Sequence, residues 1–185
     1  MAADQKATIT DNVILAFTNT IHDTGKTRLE DSFSDGEDLM RQLREAGLPR
    51  PAQPVGQGQL RSLRAFREAT YAVLSARAAG RTPAHEDALL VQMAIKSAMA
   101  DARLDFSAPR AVWRSGPLGG VQDALALRLA AFFASDRMTR LRECRRCTRL
   151  FLDYGRGPGR RWCSMETCGN REKVASFRAR RREAQ

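Results

Sequence analysis

Apolar positions recur along this chain mostly at helical spacing, interrupted by a few short alternating runs, and predict a mainly α (α+β) protein. Near the start, Val13, Leu15 and Phe17 alternate with Ile14 and Ala16, which reads as a short strand. Ser34 and Glu37 have the spacing of a capping box, Leu39, Met40 and Leu43 share one helical face, and Gly47 closes that short helix. Residues 49–59, PRPAQPVGQGQ, read as a linker. Leu60, Leu63, Phe66, Val73 and Leu74 then predict a long helix ending at Gly80. Thr82 as cap and Pro83 at the first helical position open the next, which runs through Leu89, Leu90, Met93 and Ala94. All of these helices read as core elements. Leu104, Phe106 and Trp113 lie on two short runs separated by Pro109, the pattern of a hairpin, and 118–142 reads as one long buried helix that turns basic at its end.

The last segment has a different pattern. Leu150, Phe151 and Leu152 predict one strand, Arg160 to Cys163 the returning strand, and GRGPG at 155–159 the turn between them. After Cys168, Asn170 is placed to cap a helix that carries Val174 and Phe177 inward and Arg171, Arg178 and Arg182 on another face. Phe151, Trp162 and Phe177 are the expected small core of this segment. The expected organisation is a helical domain over residues 1–136 and a small basic domain over residues 137–185.

Charge sharpens that division. Residues 1–136 carry 16 Lys/Arg against 16 Asp/Glu, whereas residues 137–185 carry 15 against 5, so the net charge of +10 resides in the last segment. Such an excess favours polyanions, nucleic acid before an anionic membrane surface. The N-terminus carries acids where a secretory signal would be basic, and the longest apolar run, 124–134, is short and broken by Arg128. A cytoplasmic protein without a membrane span is expected, and in a reducing compartment clustered cysteines are more often metal ligands or catalytic thiols than disulfides.

All four cysteines, Cys144, Cys147, Cys163 and Cys168, fall in the basic segment with the spacing C-x2-C-x15-C-x4-C. Two residues between thiolates suit a tight knuckle, and a second pair some fifteen residues on suits tetrahedral zinc. A redox CxxC pair and unconnected core cysteines are the alternatives. With zinc, the segment becomes a treble-clef-like finger of knuckle, hairpin and helix. Burial alone cannot hold so few apolar side chains together, so one structural Zn2+ would supply roughly 10 kcal/mol or more of folding free energy. Four thiolates leave it no open position for catalysis.

These residues also resemble a known family. CRRC followed by FLD, then RRWCSM and TCGNR with a basic helix behind it, is similar to the CGNR zinc finger of bacterial proteins, over about residues 140–182. The front of the chain resembles the ABATE domain found with that finger: ILAFTNT at 14–20 matches its strand ending in Asn-Thr, and a DLM…L…AGL helix follows at 38–48. Ala16 stands where that pattern carries aspartate. The resemblance implies a stress-related transcription regulator whose finger binds DNA.

On charge alone, Arg145, Arg146, Arg149, Arg156, Arg160, Arg161, Arg171, Lys173, Arg178, Arg180, Arg181 and Arg182 are the candidate nucleic-acid contacts. Their bias towards arginine favours bidentate recognition of phosphate and guanine over a point-charge cushion. The helix after Cys168 is the candidate for groove insertion. Arg160 and Arg171 could instead brace the finger's own carbonyls, and Tyr154 is the better candidate for base stacking. Duplex DNA ranks ahead of RNA, because only 6% of the chain is aromatic. A zinc-stabilised protein-docking module is the remaining alternative. Asn19, Thr20 and His22 mark a candidate ligand pocket, with an effector ligand and homodimerisation as roles for the first domain. No enzyme is expected: His22 and His85 are the only histidines, in no H-E-x-x-H pattern, and neither G-x-S-x-G nor a phosphate-binding loop is present.

Overall fold

The computed structural model describes residues 9–23, 25–49, 54–107, 111–116, 119–155 and 159–183. Arg156, Pro109, Leu118 and the middle of the GRGPG turn lie outside them. Among the described residues the chain is mainly helical with three short antiparallel strand pairs. In order these are helix α1 (Ile9–Thr18), strands β1 (Ile21–His22) and β2 (Glu30–Asp31), helices α2 (Gly36–Glu45), α3 (Gln57–Ala78) and α4 (His85–Ala100), strands β3 (Arg103–Asp105) and β4 (Val112–Arg114), helix α5 (Val121–Phe133), strands β5 (Leu141–Glu143) and β6 (Leu150–Leu152), and helix α6 (Asn170–Glu183).

Helix α1 replaces the strand expected at 13–17. Val13, Ile14, Leu15 and Phe17 are all buried, so the run is apolar on every side, and periodicity cannot separate a buried helix from a buried strand in so short a stretch. It packs against α2, α3, α5 and β6. Phe17 meets Phe66 of α3 with ring centroids 5.9 Å apart. Leu60, Leu63, Phe66, Val73 and Leu74 of α3 are buried as their spacing predicts. The helix starts at Gln57, inside the expected linker, because the Gln59 side chain accepts the Gly56 N–H at 2.9 Å. Gly80 follows its end at φ +66°, a conformation glycine adopts without penalty.

Two caps differ by small steps from expectation. Asp35, not Ser34, caps α2, its Oδ1 accepting from Glu37 and Asp38 N–H at 3.0 and 2.9 Å. Helix α4 begins at His85, two residues after Pro83, and its phase also differs. Val91, Ala94 and Ala98 face the core, while Leu89, Leu90 and Met93 are exposed. The expected hairpin is present: β3 pairs with β4, Leu104 opposite Trp113.

The long helix expected over 118–142 ends at Phe133. Ser135 Oγ donates to the Phe132 carbonyl at 2.8 Å, local bonding that competes with continued helix, and a 3-10 turn, Asp136–Arg140, leads into β5. β5 pairs with β6, Leu141 opposite Leu152 and Glu143 opposite Leu150. The returning segment 160–163 is therefore not β6's partner. It is held instead by the Arg145 N–H, which donates to Arg161 O at 3.0 Å. Leu141 and Leu150 join the same core as α1, α3 and α5, so the hairpin that begins the finger completes the core of the preceding domain.

Truncating a side chain buried to this degree costs about 2–5 kcal/mol. Leu141→Ala is expected to lose that much in urea unfolding, with helical signal and bound zinc lost in one coincident transition. Separate transitions would mean that the hairpin is not part of the common core.

Candidate metal centre and nucleic-acid interface

The β5–β6 turn is a knuckle. The Cys144 N–H donates to Arg149 O at 3.0 Å, and the backbone N–H groups of Cys147, Cys163 and Arg146 point at the Cys144 sulfur. Burial pushes the Cys144 thiol up, but those donors outweigh it and hold it at about 7. Burial pushes Cys163 up to about 11 and raises Cys147 as well. The sulfurs of Cys147, Cys163 and Cys168 stand 3.8, 3.6 and 3.7 Å apart, and all four lie within 4.8 Å of one another. Zn–S bonds of about 2.3 Å in a tetrahedron put sulfurs about 3.8 Å apart, so the cluster fits zinc. The sulfurs are also too far apart for disulfides.

Small features of the motif have physical causes here. Cys163 precedes, and Cys168 lies within, a single wide turn, Met165–Gly169, closed by the Gly169 N–H donating to Ser164 O at 3.0 Å. Ser164 Oγ caps that turn by accepting from Thr167 N–H at 3.3 Å. A Cβ on Gly169 would stand 2.8 Å from Met165 Sδ and 3.2 Å from Trp162, so the exposed methionine side chain and the indole would have to give way to any other residue there. Asn170 does not cap α6; its amide donates to Glu166 O at 3.2 Å from within the continuous helix. Phe151 and Trp162 pack on the cysteines. Phe177 does not: it and Val174 are 54% and 49% exposed, because α6 runs on from the wide turn and projects beyond it.

The finger is clasped to the first domain at several points. Asn19 holds Leu150 on both sides: its amide donates to Leu150 O, and Leu150 N–H donates to Asn19 Oδ1, each at 2.9 Å. Asp23 Oδ2 accepts from the Thr148 N–H at 3.1 Å and from its hydroxyl. Burial raises the Asp23 carboxyl, but these bonds, together with N–H groups of Lys26 and Gly25, bring it below the usual range. Arg28 donates to Thr148 Oγ1 (3.1 Å), Thr18 O (2.9 Å) and Glu68 (2.7 Å) and lies 3.6 Å over the Tyr71 ring. Glu143, next to the first cysteine, accepts from Tyr71 Oη at 3.1 Å and from Ser75. None of Arg28, Thr148, Tyr71 or Glu143 stands out in the sequence, since their partners are up to 125 residues away.

Asn19 and His22 also line a recess of about 230 Å3 with Ile21, Asp23, Arg28, Cys147, Thr148 and Arg149. Thr20 is buried, its hydroxyl donating to Phe17 O at 2.7 Å and accepting from Arg67 at 3.2 Å.

The candidate nucleic-acid residues fall into two groups. Arg160 Nη2 donates to Cys163 O at 2.6 Å, and Arg160 lies 5.0 Å over Phe151. Arg146 pairs with Glu172 at 3.2 Å, Arg161 lies 5.3 Å over Trp162, and Arg181 lies 6.0 Å over Phe177. Arg145, Arg149, Arg171, Lys173, Arg178, Arg180 and Arg182 are exposed, with no side-chain partner among the described residues. On α6, Lys173, Val174, Phe177, Arg178, Arg181 and Arg182 share one face. Tyr154 is exposed beneath Arg140, 5.3 Å from its ring. No helix among the described residues is long and apolar enough to cross a membrane.

Four convergent sulfurs, a knuckle and a basic helix define a zinc-finger protein with one structural zinc. Residues 140–181 match the family described as CGNR zinc finger, and residues 11–146 match ABATE, described as "Putative stress-induced transcription regulator". The second match spans most of the chain, and the protein belongs to that family. No curated protein matches it.

Two outcomes follow from this geometry. A strong chelator is expected to remove one zinc per chain and to lower the melting temperature of the whole chain, because the knuckle's strands share the main core; zinc emission and circular dichroism measure both. Asp23, whose carboxyl titrates lower folded than unfolded, stabilises above its unfolded value of about 4, and that contribution disappears as pH falls through the folded value. The stability gap between wild type and Asp23→Asn is therefore expected to be full at neutral pH and to close in acid, as read by urea unfolding.

Proposed function

We propose that the protein is a DNA-binding transcription regulator in which the zinc finger presents α6 and the knuckle arginines to duplex DNA. The observation carrying this reading is the set of arginines on α6 and the knuckle that are exposed and without a side-chain partner among the described residues, next to the turns that carry the four cysteines. Guanidinium forks there can take phosphate oxygens or guanine edges, and Val174 and Phe177 on the same helix can meet thymine methyl groups. Arg160 serves as a brace. The first domain, with its recess beside Cys147, is the proposed receiver of a ligand or partner signal. Four protein ligands around zinc support a structural and non-enzymatic role.

Selection from a random duplex pool by zinc-loaded protein tests the reading. An enriched motif is expected, lost in Arg171→Ala/Arg178→Ala. Affinity is expected to fall by about 0.9 decades per decade of salt for each neutralised phosphate, and Lys173→Ala to reduce that slope by about one. Retention of structured RNA, or of acidic proteins without duplex DNA, would replace this reading.

A further inference from the structure

Helix α4 leaves a large apolar surface in water. Leu89, Leu90 and Met93 are 45%, 37% and 56% exposed, while Val91, Ala94 and Ala98 on the opposite side enter the core. Their positions form one stripe. Glu86, Leu89/Leu90, Met93 and Lys96 recur at spacings of three and four and so share the outward face. The stripe is acidic at its N-terminal end, apolar in the middle and basic at its C-terminal end. Neither Glu86 nor Lys96 has a side-chain partner among the described residues.

That order is self-complementary. Two copies of α4 laid antiparallel about a two-fold axis that crosses the outward face at the level of residue 91 set Glu86 of each against Lys96 of the other, and Leu89 against Met93. The same register satisfies both the charges and the apolar positions. Glu86 and Lys96 are ten residues apart, about 15 Å along a helix, so the apolar side chains between them sit inside a seam with a charged pair at each end. Beyond the basic end, the β3–β4 ribbon exposes Leu104, Phe106 and Trp113, further apolar area of the kind a stable interface of about 1,200 Å2 or more requires. An acidic end and an apolar middle suit a protein surface and disfavour a polyanion.

We propose that the outward face of α4 is a two-fold seam on which a second copy of this chain docks. Isologous contact of this kind closes on itself and leaves the basic finger outside the seam. Each dimer then carries two fingers; that consequence alone rests on the DNA-binding reading.

Sedimentation equilibrium of the zinc-loaded full chain at micromolar concentration tests the seam. Wild type is expected to be a dimer. Met93→Glu, at an exposed position, is expected to give monomers with unchanged helical content. Glu86→Lys and Lys96→Glu singly are each expected to weaken dimerisation about tenfold, and the combined swap to restore it, since it recreates both pairs with reversed sign. A wild-type monomer, a dimer indifferent to Met93→Glu, or single charge variants that the double swap does not rescue would each overturn the proposal. A monomer that still selects duplex DNA removes the seam and leaves the finger's function standing, whereas a dimer that selects none does the reverse.

Discussion

The β5–β6 strand pair has to satisfy two demands at once, and the rest of the structure is arranged around that requirement. Leu141 and Leu150 point into the core built by α1, α3 and α5, while the turn between the same strands supplies Cys144 and Cys147 to the metal. Three residues per strand cannot form a stable ribbon alone. The core holds one side and zinc the other. This sharing also explains why the two family matches overlap over residues 140–146: β5 is the last strand of one unit and the first of the other.

Electrostatics divides the chain in the same way. Some of the first domain's balanced charge is paired inside it, where buried Arg67 pairs with Asp31 and Glu68, each at 2.7 Å, and Arg28 shares Glu68. A buried pair adds little net stability but is costly to break, and it fixes orientation. Arg28 is the case in point. It and Lys26 adopt left-handed backbone angles, φ +52° and +61°, which cost about 1–2 kcal/mol per non-glycine residue. The bonds from Arg28 to Thr18, Glu68 and Thr148 offset that cost and set the knuckle's angle on the domain. Around the finger, among the described residues, Arg145, Arg149, Arg171, Arg178, Arg180 and Arg182 form no ion pair.

Features carried by spacing were legible in the sequence. The four cysteines, the core of α3, the hairpin that carries Leu104 and Trp113 and the CGNR resemblance needed only local pattern. Features set by distant partners were not. The 13–17 run looked alternating because it is apolar throughout, and only its enclosure by α2, α3, α5 and β6 makes it a helix. In α4 the large side chains Leu89, Leu90 and Met93 drew the predicted core face to the wrong side, since small Ala94 and Ala98 are what a close approach to α5 admits. Leu150–Leu152 read forward to 160–163 for a partner and found it behind, in a segment that looked like the end of a helix. Asn19 was visible as a polar residue worth noting, yet its bond to Leu150 spans 131 residues.

The metal's contribution to the basic surface is geometric, not electrostatic. Four thiolates and one divalent ion add −2 to a segment whose residues otherwise sum to +10, so zinc lowers the attraction for a polyanion. A protein that relied on charge alone would bind better without it. What zinc adds is position: Cys168 is buried at the wide turn that continues into α6, and Cys144 and Cys147 bracket Arg145 and Arg146 in the knuckle. Removing the ion would leave every positive charge in place and release the angle between knuckle and helix. On the proposed DNA-binding reading, recognition of a particular duplex sequence, which depends on several side chains meeting base edges together, should then suffer far more than non-specific retention.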